Sequence, residues 1–501
     1  MLTAARAFVL KLRAVCFITA PSATMLDHLG VLFALIAVFS FLVVRSIYRL
    51  YFHPLSAFPG PRLAAISHLY EFYYDVIKGG QFLFQIEQMH QRYGPIVRIN
   101  PRELHIKDPS YYNAIYAGGV RKRDKDPHFV PIFGLPSSMV ATVGIQHHRF
   151  RRNILKEFFS KRSVNELAPV VEERALKLME RFEEAYHDRS IIRLDAAFAG
   201  LAADVIMHYS YGKSWGFLED PDFRSDICIA VNEAMSFVHV NRFFPLLAPL
   251  VRKIPARVMC TIRPARASLF EFQQSVFDHA ARLMKERESG CKSPNGGRGN
   301  IFEKLADPSL PPEERTLARL QDEALMLLIA GTETTSRALT LTAFYLAREP
   351  ELWRKLREEL RTVLPTPTST ATWAQLEQLP YLTGVVNEAL LSMSTYFVHQ
   401  DPTIFPEPQA FKPERWIQPA DTTERLTRYL VAFNKGSRAC LGMNLAYIEL
   451  FMTVAYFVRR FDMELYQTTE ENVQVVREMG MGFPKDGYVT VYAKVTNLVQ
   501  D

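Results

Sequence analysis

The chain has few cysteines, and none of the arrangements in which cysteines usually carry structure. No two form a close pair and none has the spacing of a metal finger; the five are Cys16, Cys228, Cys260, Cys291 and Cys440. An odd number without close pairs argues against a disulfide framework. We therefore expect free thiols in a reducing compartment.

An excess of charge of one sign is also absent. The 501 residues include 59 Lys and Arg against 53 Asp and Glu, a net charge of +6, and the charges are interspersed. No basic patch suited to nucleic acid results, so we expect no nucleic-acid partner. The sequence also has no internal repeat, no low-complexity tract and no G-x-G-x-x-G fingerprint of a dinucleotide-binding domain. A redox function would therefore need electrons from another protein.

Hydrophobic residues, in contrast, are plentiful. They make up 48% of the chain against 22% charged residues, and there are 35 Phe and 21 Tyr. This composition supports a large buried core. Periodicity predicts a mainly α-helical fold with small β-sheets, with helices over about 313–347 and 441–458 and strands at 96–99, 104–106 and 488–495.

A long apolar run marks the N-terminal region. Residues 29–44 are apolar except for Gly30 and Ser40, and the run approaches the roughly 20 residues that a membrane helix needs. A signal-peptide core and a mitochondrial presequence are the weaker alternatives, since the run is long and no small-residue cleavage site follows it. The predicted domains are an extension over 1–28, a transmembrane anchor over 29–50, a proline-rich hinge over 51–62 and a catalytic domain over 63–501.

The orientation of this anchor depends on the true start of the chain. Arg6, Lys11 and Arg13 precede the anchor, so basic residues flank it on both sides. A chain that started at Met25 would keep basic residues only on the C-terminal side. The positive-inside rule would then place the catalytic domain in the cytosol. The sequence leaves both starts open.

The run Phe-Asn-Lys-Gly-Ser-Arg-Ala-Cys-Leu-Gly, residues 433–442, is the most informative part of the chain. Cys440 stands at or just before a predicted helix N-terminus, where free N–H groups favour a thiolate over a thiol. Gly436 allows a tight turn, Arg438 can pair with a carboxylate such as a haem propionate, and Phe433 can cover the sulfur. A lone cysteine before a helix is more often a small buried hydrophobe, but here four features agree.

This run resembles the haem-binding loop F-x-x-G-x-R-x-C-x-G of the cytochrome P-450 superfamily, and the resemblance extends from Pro59 to the end of the chain. It implies a prism-shaped fold and haem b with Cys440 as the axial thiolate ligand of the iron. Phe433, Gly436 and Arg438 are then cofactor-binding residues. The resemblance further implies dioxygen, a small apolar substrate, an NADPH-dependent flavoprotein reductase as partner, and a single-pass position in the endoplasmic reticulum membrane with the catalytic domain facing the cytosol.

A second motif, Ala-Gly-Thr-Glu-Thr-Thr at 330–335, lies inside the long predicted helix. Glycine and polar residues are costly in an apolar helix. Thr334 lies three residues after Gly331, on the same face, and its hydroxyl could bond back to a carbonyl and open a groove. An isolated motif of this kind is more often a polar patch between helices. It resembles the oxygen-activation motif of the superfamily, which implies catalytic roles for Thr334 in proton relay and for Glu333 in proton delivery from solvent.

Two further segments match the superfamily. Residues 147–152 form a basic cluster that enters a helix, which alone would be a solvated charged face. In the superfamily a W/H-x-x-x-R pair on this helix holds a haem propionate, which implies His148 and Arg152 as cofactor-binding residues. The segment 411–416 resembles F-x-P-E-R-[F/W], in which Arg415 would lock the core behind the cysteine loop through a charged network.

The substrate-facing parts are less distinct. By the resemblance, segments 129–140 and 237–244 and the helix face around Met326 and Ile329 would line the pocket. Apolar residues at such positions are equally often plain core, so the sequence does not decide between the two readings.

The family pattern breaks at Glu388. The superfamily has E-x-x-R there, and the Glu and Arg join the Arg of the P-E-R segment, but this chain has Leu391 at the arginine position. Only 52 residues separate Glu388 from Cys440, which is short for the superfamily. We therefore expect that a block is missing after Leu391, including the strands that follow the helix. A gene-model or splicing error and a truly degenerate chain are the two explanations.

The sequence thus predicts a membrane-anchored haem-thiolate monooxygenase that hydroxylates or epoxidises a small apolar substrate. The anchor and the His-Pro-Leu and Pro-Gly-Pro phrases resemble fungal secondary-metabolism members, including trichodiene-oxygenase-like enzymes, which by analogy suggests a terpenoid or polyketide substrate. Two rivals remain. One is a haem-thiolate isomerase or dehydratase that does not use dioxygen, and the other is an inactive homologue that binds haem poorly.

Overall fold

The computed structural model describes residues 23–116, 118, 122–262, 267–288, 299–393, 395–419 and 426–500. Cys16, Cys291, the polar segment 289–298 and most of the predicted N-terminal extension lie outside the described residues.

Helices dominate the described residues. In chain order they are α1 (Ala23–Ile47), α2 (Arg62–Ile66), α3 (Leu69–Phe72), α4 (Phe82–Tyr93), α5 (Tyr112–Ile115), α6 (Ile145–Leu155), α7 (Lys161–His187), α8 (Leu194–Tyr211), α9 (Ser225–Met235), α10 (Val238–Phe243), α11 (Leu247–Arg252), α12 (Ala256–Ile262), α13 (Ala267–Glu288), α14 (Ile301–Leu305), α15 (Leu317–Arg348), α16 (Pro350–Leu360), α17 (Trp373–Leu376), α18 (Pro380–Met393), α19 (Tyr396–His399) and α20 (Met443–Arg460).

The strands are short and all their pairings are antiparallel. They are β1 (Ile96–Arg98), β2 (Leu104–Ile106), β3 (Ile192–Arg193), β4 (Phe461–Leu465), β5 (Arg477–Glu478), β6 (Gly482–Phe483) and β7 (Tyr492–Leu498). They form a β1–β2 pair, a three-stranded sheet in the order β3-β7-β4, and a β5–β6 pair. The chain is therefore mainly α-helical with small sheets, which confirms the predicted fold class.

The contacts divide the chain into two compact units, of which the first comprises Met1–Glu71 and Ile86–Ile106. It contains α1 and the apolar stretch Gly30–Phe52, which extends five residues beyond the end of α1 and has no buried residue. That stretch is long and apolar enough to cross a membrane. Within the same unit the Arg98 guanidinium donates to the Arg49 carbonyl at 2.7 Å. A Cβ at Gly60 would lie only 2.4 Å from the Arg98 carbonyl oxygen, so this close approach requires glycine.

The second unit comprises Phe72–Gln85 and Lys107–Asp501, and α15 runs through its core. The N-cap Thr316 accepts a hydrogen bond from the Arg319 backbone, and the helix ends at Arg348, just before Pro350. Its flanks pack against α8, α13, α18 and α20. Because α20 follows the cysteine loop directly, this packing joins the two motif-bearing segments of the sequence.

Helix α20 begins at Met443, two residues later than Leu441, where periodicity places its start. Gly442 is its N-cap residue. The helix then runs to Arg460, and most of its side chains from Leu445 onward are buried. A helix that is buried over most of its length and is mostly apolar is typical of a protein core rather than of a surface.

Candidate active site

The cysteine loop has the tight geometry that its glycine predicts. Gly436 has φ +70°, in the left-handed region, and Asn434 has φ +57°. The Cys440 amide donates to the Phe433 carbonyl at 2.7 Å, which closes the loop. The Phe433 ring lies 5.1 Å from the ring of Tyr447 on α20. The loop is thus fixed at both ends, and Cys440, at the end that closes it, keeps an exposed surface while neighbouring protein atoms enclose its sulfur.

The position of Cys440 before a helix suggests a lowered pKa for its thiol, but in the folded protein this pKa is raised. Burial raises its pKa above the ordinary value, against the opposing effects of the Gly442 N–H and the positive Arg152. Because α20 begins only at Met443, Cys440 lies before the helix, beyond the reach of most of its free N–H groups. In the protein without a metal ion, burial thus outweighs the two effects that favour the thiolate. A bound metal ion supplies the charge that deprotonates a coordinating thiol.

Positively charged side chains surround this loop. Arg152 on α6 donates from Nη1 to the Ala439 carbonyl at 2.6 Å. Arg438 donates from Nη1 to the Thr142 carbonyl at 2.9 Å and from Nη2 to the Val143 carbonyl at 2.6 Å. Arg152 thus contacts the loop that contains Arg438. Each guanidinium group uses some of its N–H donors on backbone carbonyls.

His148 shares this positive environment. Burial, helped by the positive Arg438, Lys125 and Arg152, lowers its pKa to about 4. Its Nδ1 is buried without a hydrogen-bond partner. Burial and Arg438 likewise lower the pKa of Lys125 to about 8. Three cations, Lys125, Arg152 and Arg438, thus lie around a neutral imidazole, and together they form a site suited to an anion that carries more than one negative charge.

These observations fit a haem with its two propionates. Lys125 is a member of the set that sequence analysis missed. It stands in the basic run 121–125, and a run of this kind usually forms a solvated face. Only its folded position, with its ammonium group donating to the Val140 carbonyl, brings it to the site.

Thr334 bonds backward within α15, as its position suggests. Its hydroxyl donates to the Ala330 carbonyl at 2.7 Å. Thr334 and Ala330, one turn apart, are both exposed although the helix around them is largely buried. These two residues therefore mark a stretch of α15 that neighbouring segments leave uncovered. That stretch is the natural place for a small reactant.

Glu333 lies on another side of the helix. Its side chain is 6% exposed. Burial and the negative Asp195 together raise its pKa to about 7, although the positive Arg337 acts in the opposite direction. Arg337 in turn donates to the Gly482 carbonyl. Glu333 thus belongs to a buried polar cluster rather than to the solvent-facing position that proton delivery from solvent suggests.

Gly331 serves the packing of two helices. A Cβ at this position would lie 2.9 Å from Cγ1 of Ile206 on α8. The glycine therefore allows α15 and α8 to approach closely. Ile206 therefore occupies the space beside Gly331, and the groove expected from the backward bond of Thr334 stays a prediction.

Glu388 and Arg415 meet despite the leucine at the arginine position. Arg415 Nε lies 2.5 Å from Glu388 Oε1. The Trp416 indole donates to the same oxygen at 2.7 Å, and the Lys412 amide donates to Oε2 at 3.1 Å. Arg415 also donates to the carbonyl of Pro406 at 2.8 Å. The charged network expected for Arg415 is present, and the loss of a third partner leaves neither side chain without contacts.

The chain after Leu391 closes in a specific way. Leu391 is buried in a small apolar cluster with Phe405, Trp416 and Leu426. The Leu391 carbonyl accepts a hydrogen bond from His399 Nδ1 at 3.1 Å. The other ring nitrogen, His399 Nε2, accepts one from the Val431 amide at 3.0 Å.

Close to this junction, Thr395 has φ +52°, an unfavourable value for a β-branched residue. No strand is found in residues 299–393, 395–419 and 426–460.

The expected pocket segments meet a third one. Ile132 and Val238 are buried together with Met479 and Phe483 of the C-terminal hairpin. Sequence analysis did not single out this hairpin, since its residues carry no motif. Met326 on α15 is half-buried, which leaves its role in a pocket a prediction.

The comparisons with known proteins follow from this geometry. The cytochrome P450 family matches residues 59–391 and 389–491. The cytochrome P450 monooxygenase aflU of Aspergillus parasiticus is 42% identical over 93% of this chain and 98% of its own length. The conidiogenone synthase PchP450 of Penicillium rubens is 42% identical over 89% and 95%, and the cytochrome P450 monooxygenase TRI4 of Trichoderma arundinaceum is 40% identical over 88% and 90%.

The same alignments measure a deficit in this chain. The alignment with the A. parasiticus protein spans 498 residues but 93% of this chain, about 466 of 501 residues, so about 32 aligned positions have no counterpart here. The alignment with the P. rubens protein spans 478 residues and 89% of the chain, about 446 residues, and again leaves about 32. The family match is divided into two segments, which overlap at residues 389–391.

These matches cover most of the chain and of its relatives, and they agree with the cysteine loop and its basic surroundings. The chain belongs to the cytochrome P450 family, whose monooxygenases hold a haem iron through a cysteine thiolate.

Proposed function

We propose that this protein is a monooxygenase of fungal secondary metabolism, and that it hydroxylates or epoxidises a small apolar substrate. The observation that carries the proposal is the set of three cations, Lys125, Arg152 and Arg438, that lies around Cys440 and the neutral His148. Such a set is costly to bury without an anion. Together with a cysteine it suits a metalloporphyrin with two propionates better than any other common cofactor.

In this proposal Cys440 is the protein ligand of the iron. His148, Arg152, Lys125 and Arg438 hold the propionates, and Phe433 shields the sulfur from water. When bound, the haem supplies the chemistry of dioxygen activation. The protein supplies the ligand, the orientation of the cofactor and a water-poor surrounding.

Thr334 and Glu333 would manage protons. While the Thr334 hydroxyl donates to the Ala330 carbonyl, Oγ1 can accept a hydrogen bond through its lone pairs. To pass a proton on, the hydroxyl would turn away from Ala330 and donate to the reactant. The carboxyl group of Glu333, with a pKa near 7, can take up and release a proton at neutral pH. Because Glu333 is buried, its protons would come through neighbouring polar groups rather than directly from solvent.

Electrons would come from NADPH through a membrane-bound flavoprotein reductase. The apolar stretch Gly30–Phe52, none of whose residues is buried, supports a single-pass membrane anchor. We assign the anchor to the endoplasmic reticulum, with the catalytic domain facing the cytosol, by the resemblance and by the positive-inside rule for a chain that starts at Met25. The predicted boundaries, with the anchor over 29–50, the hinge over 51–62 and the catalytic domain over 63–501, belong to the same proposal.

The substrate would be a terpenoid or a polyketide. The support is the resemblance to fungal relatives of secondary metabolism, one of them named a conidiogenone synthase. The apolar residues where segments 129–140 and 237–244 meet the C-terminal hairpin suit such a molecule.

The sequence given would be an incomplete form of the enzyme. The deficit of about 32 positions, the break in the family match at Leu391 and the unfavourable backbone of Thr395 all point to an omitted block. The alternative is a degenerate chain that binds haem poorly. The preserved cysteine and oxygen motifs favour the omission.

Two measurements test this function. The carbon-monoxide difference spectrum of the reduced protein separates a haem-thiolate protein from a haem-free homologue. Incubation with reductase, NADPH, ¹⁸O₂ and candidate terpenes or polyketides then separates a monooxygenase from an isomerase or dehydratase. One ¹⁸O atom in the product supports the proposal, and an NADPH-independent product without ¹⁸O contradicts it.

A further inference from the structure

A buried network of charges joins the start of α15 to α6. Glu314 Oε2 accepts from Arg151 Nε at 2.9 Å and from Arg319 Nε at 3.2 Å. Arg319 also pairs with Glu323, and all four side chains are at most 10% exposed. Charged groups that are buried this deeply persist only when they are paired and hydrogen-bonded. The network therefore has a structural purpose that surface charges would not have.

The acids of this network hold a loop. Asp322 Oδ2 accepts from the Ser137 amide at 2.7 Å, and Glu323 Oε2 accepts from the Met139 amide at 2.8 Å. We call residues 135–143 the anchored loop. Hydrogen bonds from backbone amides to ionised carboxylates are among the stronger ones, and burial strengthens them further. Two consecutive residues of α15 thus fix the first half of the anchored loop.

The second half of the anchored loop holds the cysteine loop. Arg151 Nη1 donates to the Ser137 carbonyl at 3.1 Å and to the Thr142 hydroxyl at 2.9 Å. The Thr142 and Val143 carbonyls then accept both terminal nitrogens of Arg438, at 2.9 and 2.6 Å. Hydrogen bonds therefore connect α15 through the anchored loop to the segment that carries Cys440.

We propose that Asp322 and Glu323 are positioning residues that set the place of Arg438, and through it the rigidity of the cysteine loop. Neither acid is part of the family motifs in the sequence. Their effect on haem retention rests on the proposed function, whereas their effect on the loops does not. Loss of either carboxylate would free one half of the anchored loop and leave Arg438 with mobile acceptors.

Hydrogen exchange of the protein without added haem tests this coupling. In Glu323→Ala, exchange in peptides covering residues 135–143 is expected to rise about tenfold or more, as for the loss of a buried charge-assisted hydrogen bond. Glu323 bonds to Met139 and Arg319 and not to residues 433–442. Hydrogen exchange in the peptide covering 433–442 is nevertheless expected to become faster as well. Glu323→Gln keeps an acceptor oxygen and should restore much of the protection.

Asp204→Ala is the matched control. Asp204 is fully buried on α8 and accepts from the Leu218 amide at 2.9 Å, so it holds a loop in the same manner but at another place. Its variant should leave both peptides at the wild-type rate. Should Glu323→Ala not fold, Asp322→Ala, which leaves the pair of Arg319 and Glu323 intact, decides the question.

Acceleration confined to residues 135–143, or no acceleration in either peptide, overturns the proposal. In protein loaded with haem, transfer of haem to excess apomyoglobin should be about tenfold faster for Glu323→Ala than for wild type or Asp204→Ala, and equal rates also overturn it. Failure of the wild type to take up haem would contradict the proposed function. The exchange result of the haem-free protein would still decide this inference.

Discussion

Arg415 Nε lies 2.5 Å from Glu388 Oε1, and the two side chains are 8% and 1% exposed. The pair holds together with Leu391 at the place where the family pattern has a second arginine. Burial raises the pKa of Glu388 to about 7, more than Arg415, Lys412 and Trp416 lower it. The folded protein therefore binds a proton at Glu388 more tightly than the unfolded chain does.

The first prediction follows from this shift. A folded-state pKa above the unfolded value gives stability that is present at low pH and is lost as the pH rises from about 4.5 to about 7. Glu388→Gln stays neutral, so its free energy of unfolding should match wild type at pH 5 and exceed it by about 3 kcal/mol at pH 8. Urea unfolding followed by circular dichroism measures the difference. Glu377→Gln, in a partly exposed pair with Lys161, is the control and should show no such trend. A Glu388→Gln protein that is less stable than wild type at pH 8 would refute the argument.

The second prediction concerns Thr334. Thr334→Ala should keep its haem, because the hydrogen bond of this hydroxyl goes to the Ala330 carbonyl of the same helix. It should divert reducing equivalents, so that more hydrogen peroxide is formed per NADPH consumed, because a positioned acid–base group typically contributes about 10²- to 10⁴-fold to a proton-transfer step. Thr340→Ala is the matched control, since its hydroxyl makes the same backward bond at 2.7 Å in a fully buried place. Equal peroxide yields for the two variants would argue against a role for Thr334.

The third prediction concerns the cations. Arg152→Gln removes a positive charge and the bond to the Ala439 carbonyl, so haem should leave at least about tenfold faster. Lys125→Met should have a smaller effect in the same direction. The rate of haem transfer to apomyoglobin measures both. Arg149→Gln on the same helix serves as the control, and an Arg152→Gln protein that retains haem as well as this control would contradict the assignment.

The fourth prediction concerns the omitted block. Sequencing the transcript across codons 388–395 should reveal about 32 further codons. A chain with that segment restored should bind more haem and resist protease longer, because Thr395 can then leave its unfavourable conformation and the missing strands can cover apolar surface. A Gly-Ser insertion of equal length after Ser309, in an exposed loop, is the control. If the chain as given binds haem stoichiometrically and equals the restored chain, the short segment is a tolerated variation.

Sequence reasoning succeeded where one local pattern decides the outcome. The turn at Gly436, the backward bond of Thr334 and the extent of α15 all depend on neighbours in the chain. The fold class followed from periodicity and from resemblance. The strand expected at 488–495 was found a few residues later, as Tyr492–Leu498.

It failed where burial by distant segments decides. The pKa of Cys440 depends on desolvation, the burial of Glu333 depends on Arg337 and Asp195, and Gly331 faces a residue of another helix. Lys125 joins the site only through the fold. None of these relations leaves a periodic signal in the sequence.

The central claim is that Cys440 fixes haem as its thiolate ligand. The carbon-monoxide difference spectrum of the reduced protein tests it most directly, with wild type, Cys440→Ala and the control Cys228→Ala compared in the chain with the omitted block restored. Cys228 is buried away from the cysteine loop on α9, so its variant should keep the thiolate-type absorption of the wild type. The account predicts that Cys440→Ala alone loses this absorption. A thiolate-type spectrum that persists in Cys440→Ala, or that is absent from the wild type, would contradict it.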